Sequence, residues 1–518
     1  MQETSANLPF MPGFKPIPLG QPISPSPHAV SCSLPTLRAV RGYEEKDPEI
    51  LASMTSGYPR FVVHPFVRQL AEHLSAEAQL TGRKLWLTSS PATSAALVRH
   101  LSRFSGRDSG AKLEPIPFSE GGVSGAAHAD TAELSARAKL FLQNVGGFMS
   151  SREAEDQLVR RGLRREAHRE ELFAGDAADE VRGHLRRALP GAGDGDIFLA
   201  NSGINAVFSA FNSAAELQAR RGRTIWVQLG WLYLDTIAIL KRFTATPADY
   251  VYLRDVFDLT GLERLFAEKG ARVAGLITEI PTNPLIQTPD VDSLATLCRR
   301  HGAILILDPS VASLFSVNLF PKADMIVNSL TKFTGNEGDV LAGALAINPS
   351  SPDAAELRRR VAAQIEPIYP RDLARLAAQI GQTLDVLCRI ASATPQVASF
   401  LAAHPKIKDV FWALSPASRA NYRRIAWNPE AVGGMISFTL RGALAPFYDR
   451  VRLPKGPSFG MKKTLISPFM YLAHYDLVNT PAGRAELAES GLDPDLLRMS
   501  VGTEPVADIL SALDEALG

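Results

Sequence analysis

The chain has 518 residues, with 55 Lys plus Arg against 54 Asp plus Glu and a formal net charge of +1, a balance that argues against a polyanion-binding protein. Hydrophobic residues make up 46% and charged residues 21%, which fits an ordinary globular chain of roughly two to four domains and excludes disorder throughout. Cys32, Cys298 and Cys388 form no CxxC pair, and no apolar run approaches the roughly 18 residues of a membrane span, so neither a disulfide framework nor a membrane partner is expected and a cytoplasmic location is.

Residues 1–36 are punctuated by prolines, including Pro9, Pro12, Pro16, Pro18, Pro22, Pro25, Pro27 and Pro35. Proline donates no backbone hydrogen bond and disfavours helix in the residue before it, so this segment reads as an extended arm or tail. Residues 37–190 read as a mostly helical extension: helical patterns alternate with short apolar runs such as Lys84 to Leu87, Ser102 to Asp130 reads as a Gly/Ser/Pro-rich loop, and Ala132 to Leu189 reads as helix. The Arg160, Arg161, Arg164, Arg165 and Arg169 run is interleaved with glutamates, which reads as a solvated helix face and not as a nucleic-acid site.

From residue 191 the pattern changes. Short apolar runs at Asp196 to Ala200, Thr224 to Gln228, Tyr250 to Leu253, Val273 to Thr278, Ala303 to Leu307, Met325 to Ser329 and Leu341 to Ile347 alternate with helix-like segments. That alternation predicts a parallel, doubly wound α/β sheet over 191–350. One helix has readable ends, with Thr288 and Pro289 before Val291 to Arg300 and Gly302 just after it. A long helical stretch, Asp353 to Ala393, then leads into a separate α+β domain over 351–518, with a strand at Gly434 to Leu440 and a last helix at Val506 to Leu517.

In such a sheet ligands bind beyond the carboxyl ends of the strands. The turn Asn201-Ser202-Gly203-Ile204 leads into a helix whose free N–H groups suit an anion, phosphate above all. Glu279-Ile280-Pro281-Thr282-Asn283-Pro284 places an acid and an amide on a rigid turn. Asp308 ends a very apolar run, where an unpaired charge would be costly and a cation is expected. Asn328-Ser329-Leu330-Thr331-Lys332 sets two hydroxyls beside an amine. Together these groups meet the needs of pyridoxal 5′-phosphate (PLP): Lys332 for the Schiff base, Asp308 to keep the pyridine nitrogen protonated, and hydroxyls and N–H groups for the phosphate. By contrast Gly191-Ala192-Gly193-Asp194-Gly195 precedes its strand, the reverse of a dinucleotide fingerprint, and His64, His73, His128 and His474 lack paired ligand spacing, so no metal is expected.

The same residues carry a resemblance. Ser329-Leu330-Thr331-Lys332 with Gly335, Asp339, Val340 and Gly343 resembles the cofactor-lysine motif of the Cys/Met-metabolism PLP-dependent enzymes, the cystathionine γ-synthase and γ-lyase family. Glu279 to Leu285 is similar to the family's acid-x-Pro-x-Asn-Pro turn, and Arg498 to Glu504 to its C-terminal arginine motif. The matches cover about 196–518. His28 to Ser31, Gly57-Tyr58-Pro59-Arg60-Phe61, Gly147 to Arg152, and Ser467 through Asp476 resemble the longer, fungal-type cystathionine γ-synthase branch.

The resemblance implies an α/β chain of PLP-dependent transferase fold type I, aspartate aminotransferase-like, with a mostly parallel large domain and a smaller α+β C-terminal domain. It implies Ser202, Gly203, Ile204, Ser329 and Thr331 at the phosphate, Glu279, Asn283, Asp308, Ser310 and Lys332 around the cofactor, and Trp231 rather than Tyr233 stacked on its ring. Arg498 is implied on the substrate α-carboxylate, a task for its planar fork, with Ser458 in the substrate loop. Arg152, or its rival Arg60, is implied to reach the phosphate of a neighbouring subunit, in a homodimer or homotetramer with shared active sites. Lys463 falls where many γ-active members carry a Glu.

The implied reaction, on small amino-acid substrates, joins a thiol to the γ-carbon of an O-acylhomoserine, as in trans-sulfuration and methionine biosynthesis. The alternatives are a β- or γ-lyase, γ-replacement with another nucleophile, or a non-catalytic binding subunit.

Overall fold

A computed structural model describes residues 13–58, 61–104 and 113–518. Residues 13–36, the described part of the proline-rich segment, form no helix, and their one isolated bridge joins Pro22 and Cys32. This part is no free arm. Phe14, Ile23, Ala29, Val30, Cys32 and Leu34 are buried, and Val30 N–H donates to Gly338 O at 2.9 Å while Leu34 N–H donates to Lys455 O at 2.9 Å. The apolar residues between the prolines therefore seat the segment on its own chain.

The stretch read as a loop at 102–130 contains two strands. β1 (Arg83–Thr88), β2 (Ile116–Glu120) and β3 (Val123–Ala129) form an antiparallel sheet in the order β1-β3-β2, with Gly121 and Gly122 at φ 54° and 80° making the hairpin turn. The small residues of β3 hide its strand signal and are needed for packing: a Cβ on Gly125 would lie 2.6 Å from Trp86 O. The helix expected over Ala132 to Leu189 is three, Ala132–Val145, Ser151–Arg160 and Ala177–Ala188, the first ended by Gly146 in the left-handed region at φ 70°. The arginine-rich run leaves the helix after Arg160 and is not one solvated face, since Arg164 pairs with the buried Glu155 at 3.0 Å.

The central sheet has seven strands: β4 (Ile197–Ala200), β5 (Ile225–Leu229), β6 (Tyr250–Leu253), β7 (Val273–Glu279), β8 (Ile304–Asp308), β9 (Met325–Ser329) and β10 (Gly343–Ile347). Their order is β4-β10-β9-β8-β7-β5-β6. The pairs β9-β8, β8-β7, β7-β5 and β5-β6 are parallel, whereas β10 runs antiparallel to both β9 and β4, so the sheet is mostly parallel. Fully buried runs such as β7 and β5 are the strands whose two faces are covered by helices. Helix Val291–His301 starts where Asp290 Oδ1 accepts from Ser293 N–H and stops at Gly302, φ 65°.

Beyond the sheet, the stretch expected as one helix is broken into Ala354–Ala362, Pro370–Ile380 and Thr383–Ala403. Pro367 falls in the first gap, and Pro370 opens the next helix at its first position, where its missing N–H costs nothing. A second antiparallel sheet follows, β11 (Ile407–Trp412), β12 (Met435–Leu440), β13 (Leu465–Pro468) and β14 (Leu497–Ser500), in the order β11-β12-β14-β13, and Val506–Leu517 closes the chain as a helix. One apolar cluster runs from Phe14 through Leu305 to Leu517, tying the N-terminal segment, the central sheet and the C-terminal part together.

Candidate active site

The carboxyl ends of β5, β7, β8 and β9 and the turn after β4 open on one pocket. Gly203, Ile204, Tyr233, Glu279, Asn283, Asp308, Ser310, Ser329, Lys332, Ser458 and Arg498 line it, together with Tyr58, Phe61, Phe459, Phe469 and Leu472. The polar residues expected at the strand ends thus converge because parallel strands all end on one side of the sheet.

Lys332 is 8% exposed. Its Nζ donates to Ser458 Oγ at 3.0 Å and lies 3.5 Å from Tyr58 Oη, with the Phe459 ring centroid at 4.8 Å. Ser458 holds φ 83°, a strained value for a residue with a Cβ, which turns its hydroxyl to the amine. Asp308 Oδ1 accepts from Ser310 N–H at 2.9 Å and Ser310 Oγ at 2.5 Å. Ser310 Oγ in turn accepts from Ser329 N–H at 2.7 Å, so one hydroxyl joins the ends of β8 and β9.

Glu279 and Asp308 face each other in the parallel register of β7 and β8. Burial raises the Asp308 carboxyl to about 6 against the pull of the Ser310 hydrogen bonds and the Lys332 charge. Burial and then the Asp308 charge push Glu279 well above the ordinary range, opposed by the Tyr233 N–H and Arg498. The two buried carboxyls are linked, and the stronger upward push falls on Glu279.

Arg498, on β14, is brought in by the pairing of β13 and β14. Its Nη1 donates to Asn283 Oδ1 at 3.0 Å and its Nη2 to Ser458 O at 3.1 Å, and the Phe469 ring lies 4.4 Å from its guanidinium carbon. Burial lowers it to about 10. A buried cation of that kind wants a carboxylate.

Pyridoxal phosphate fits these groups. At the anion end, the free N–H groups of Gly203 and Ile204 open helix Gly203–Ala219 beside Ser329. A Cβ on Gly203 would lie 2.7 Å from Ser329 Cβ, so only glycine lets helix and strand end share one cradle. At the other end Asp308 awaits a cation, and Lys332 supplies the amine between them.

Other expectations are corrected. Trp231 does not line the pocket; its indole N–H donates to His474 Nε2 at 3.0 Å, and Tyr233 takes the wall position. Thr331 Oγ1 accepts from Ala342 N–H at 3.0 Å and faces the backbone of the turn instead of the pocket. Ser202 caps helix Gly203–Ala219 through Asn205 N–H at 3.3 Å and borders a neighbouring cavity shared with Ser150 and Arg152. Arg152 is 1% exposed and held by Glu170 at 2.6 Å and Asp372 at 2.9 Å, with Nη1 donating to Asp339 O at 2.8 Å. Within its own chain Arg152 is therefore engaged by Glu170, Asp372 and Asp339. Arg60 lies outside the described residues, and Lys463 donates to Ile23 O at 2.7 Å.

Sequence reasoning missed the apolar wall. Tyr58 and Phe61 lay in a segment noted for its resemblance, as did Phe469 and Leu472, and Phe459 followed Ser458 of the substrate loop, yet nothing in spacing assigns any of them to the wall beside Lys332.

The profile of the family described as Cys/Met metabolism PLP-dependent enzyme matches residues 187–518. The chain is similar to an L-2-amino-4-chloropent-4-enoate dechlorinase/desaturase of Streptantibioticus cattleyicolor, 38% identical over 487 residues that cover 93% of this chain and 95% of the relative. It is also similar to the cystathionine gamma-synthase of Neurospora crassa, 27% identical over 631 aligned positions covering 98% of each chain. Among solved structures, the cystathionine gamma synthase of Xanthomonas oryzae pv. oryzae in complex with cystathionine superposes with a TM-score of 0.57 at 20% identity, covering 66% of this chain and 86% of that one, a likeness of fold.

Proposed function

The chain belongs to the Cys/Met-metabolism PLP-dependent enzymes, and from that premise we propose that it cleaves the bond between Cγ and an uncharged acyloxy group of a small L-α-amino acid, which departs as a carboxylate, while a thiol gives up its proton and bonds to Cγ in its place. The cofactor, when bound, supplies the electron sink that makes the Cα and Cβ protons removable. Arg498 holds the substrate carboxylate in a two-point grip and Asn283 orients that guanidinium. Lys332 carries protons to and from Cα and Cβ, aimed by Ser458. Phe61, Phe459, Phe469 and Leu472 keep water from the carbon atoms that react.

The observation that carries the leaving-group choice is charge. Among the described residues, the cations lining the pocket are Lys332 and Arg498, and both already have tasks. A succinyl or phosphoryl group would place a second anion against phenylalanine and leucine, which is costly. O-acetylhomoserine is therefore the favoured acyl substrate. Turnover with O-acetyl-, O-succinyl- and O-phosphohomoserine, each with and without cysteine, tests this. The acetyl ester should lead in kcat/KM by at least about tenfold, with cystathionine as product. A preference for the phosphate ester, or a purified protein with no visible cofactor absorption, sinks the reading.

A second reading is elimination without a thiol. The similarity to a dechlorinase/desaturase favours it, as does a lysine where many γ-active members carry a glutamate. Release of a 2-oxo acid and ammonia at equal rates with and without cysteine would decide for it. Three free cysteines, two of them buried, suit a reducing cytoplasm.

A further inference from the structure

Two residues just outside the pocket join its opposite sides. Trp231 follows β5 and is 7% exposed; His474 follows the short helix Phe469–Ala473 and is 8% exposed. Their rings meet edge to face with centroids 4.9 Å apart, and the indole N–H donates to His474 Nε2 at 3.0 Å. Burial pushes the imidazole down to about 3, which leaves that nitrogen free to accept.

Each partner is tied to the pocket through its own neighbours. Two residues after Trp231, the Tyr233 N–H donates to Glu279 Oε1 at 2.5 Å, and Tyr233 and Leu234 line the pocket. On the other side Leu472 and Ala473, directly before His474, form the opposite wall, and Phe469 underlies Arg498 at 4.4 Å. The bond is thus a strut between the cofactor side, on the large sheet, and the substrate wall, on the C-terminal part.

We propose that the Trp231–His474 hydrogen bond fixes the width of the substrate pocket, so that this pair positions the Phe469–Ala473 wall and sets which side-chain length the enzyme accepts. The inference rests on the pocket being the amino-acid site. Without the bond the wall keeps the Phe469 N–H bond to Leu496 O and the Tyr471 Oη bond to Asp495 Oδ1, both at 3.1 Å and both within the C-terminal part, but its Leu472–Ala473 end loses its directional tie to the large sheet and can shift.

The test uses holoenzyme carrying Trp231→Phe, His474→Gln or His474→Leu, assayed on neutral substrates of four and five carbons. Trp231→Phe and His474→Leu should retain the visible cofactor absorption, raise KM for the four-carbon substrate by about five- to tenfold, the worth of one hydrogen bond, and reduce the preference for it over the longer homologue. His474→Gln, whose carbonyl can accept from the indole, should recover both, which a role in mere packing would not give. If wild type turns over and Trp231→Phe keeps its KM and its length preference, the strut is refuted. Equal loss in His474→Gln and His474→Leu, with KM unchanged and only stability lowered, also refutes it. A wild type without turnover on any amino acid instead refutes the reading of the pocket itself.

Discussion

Asp308→Asn separates the charge at the end of β8 from the hydrogen bonds that hold it. The amide oxygen of Asn can still accept from Ser310 N–H and Oγ, now at 2.9 and 2.5 Å, so the junction of β8 with β9 should survive. What goes is the anion that faces a pyridinium. Removing one partner of a buried ion pair costs about 3–5 kcal/mol. Asp308 keeps some access from the pocket, which screens the pair, so about 2–4 kcal/mol is the working range, equivalent to about thirty- to a thousand-fold. That loss should be split between cofactor affinity, read by titrating the apoprotein with pyridoxal phosphate and following absorbance, and turnover under saturating cofactor. Affinity and turnover both within about threefold of wild type would refute the charge-pair argument.

The raised carboxyl has a consequence for the apoprotein. Asp308 moves from 3.8 to about 6 on folding, so between those values the native chain binds more protons than the unfolded one and this group's contribution falls as pH rises. The stability of Asp308→Asn apoprotein relative to wild type should therefore climb by on the order of 2–3 kcal/mol from pH 4 to pH 7 in urea unfolding, and a flat difference would contradict the assignment. Gly203→Ala, at a helical position where alanine usually helps, should instead weaken cofactor binding at least about tenfold, because the new Cβ meets Ser329 Cα at 2.9 Å; unchanged affinity would remove the cradle. Arg152→Ala takes a shared cation from Glu170, Asp372 and Asp339, but Glu170 keeps Arg371 at 2.8 Å and Asp339 keeps Arg375 at 3.0 Å, so chemical denaturation should show a loss at the low end of the range for a broken buried pair, about 3 kcal/mol. Full stability with activity alone lost would restore the role at a neighbouring site. Because Tyr58 reaches the pocket of its own chain, mixed oligomers of inactive Lys332→Ala and Tyr58→Ala chains should not regain activity; recovery toward a fraction of wild type would show sites shared between chains.

The sequence by itself determined the parts of this protein whose signal is local. Strands buried on both faces must be short and apolar, and the residue that ends such a strand stands out when it is polar. That is why Asp308, Glu279, Ser329 and Lys332 could be picked from the chain, and why the turn at Ser202 to Ile204 could be read as an anion site. Helix Val291–His301 was legible for the same reason, its cap residues lying within two positions of its ends. Tertiary structure alone decided what depends on partners far along the chain. Trp231 and Tyr233 both follow β5, and only the placement of His474, 243 residues on, turns the indole away and leaves Tyr233 at the pocket. Arg152 stood out through its local motif, whereas its bond to Asp372, 220 residues away, belongs to the fold. Tyr58 stands 274 residues from the lysine it meets. Strand β3 carries no alternation of large apolar residues because close packing against Trp86 demands small ones. Period and spacing report the backbone near a residue, whereas the direction of a side chain leaving a loop is set by which distant surface it can bury against or bond.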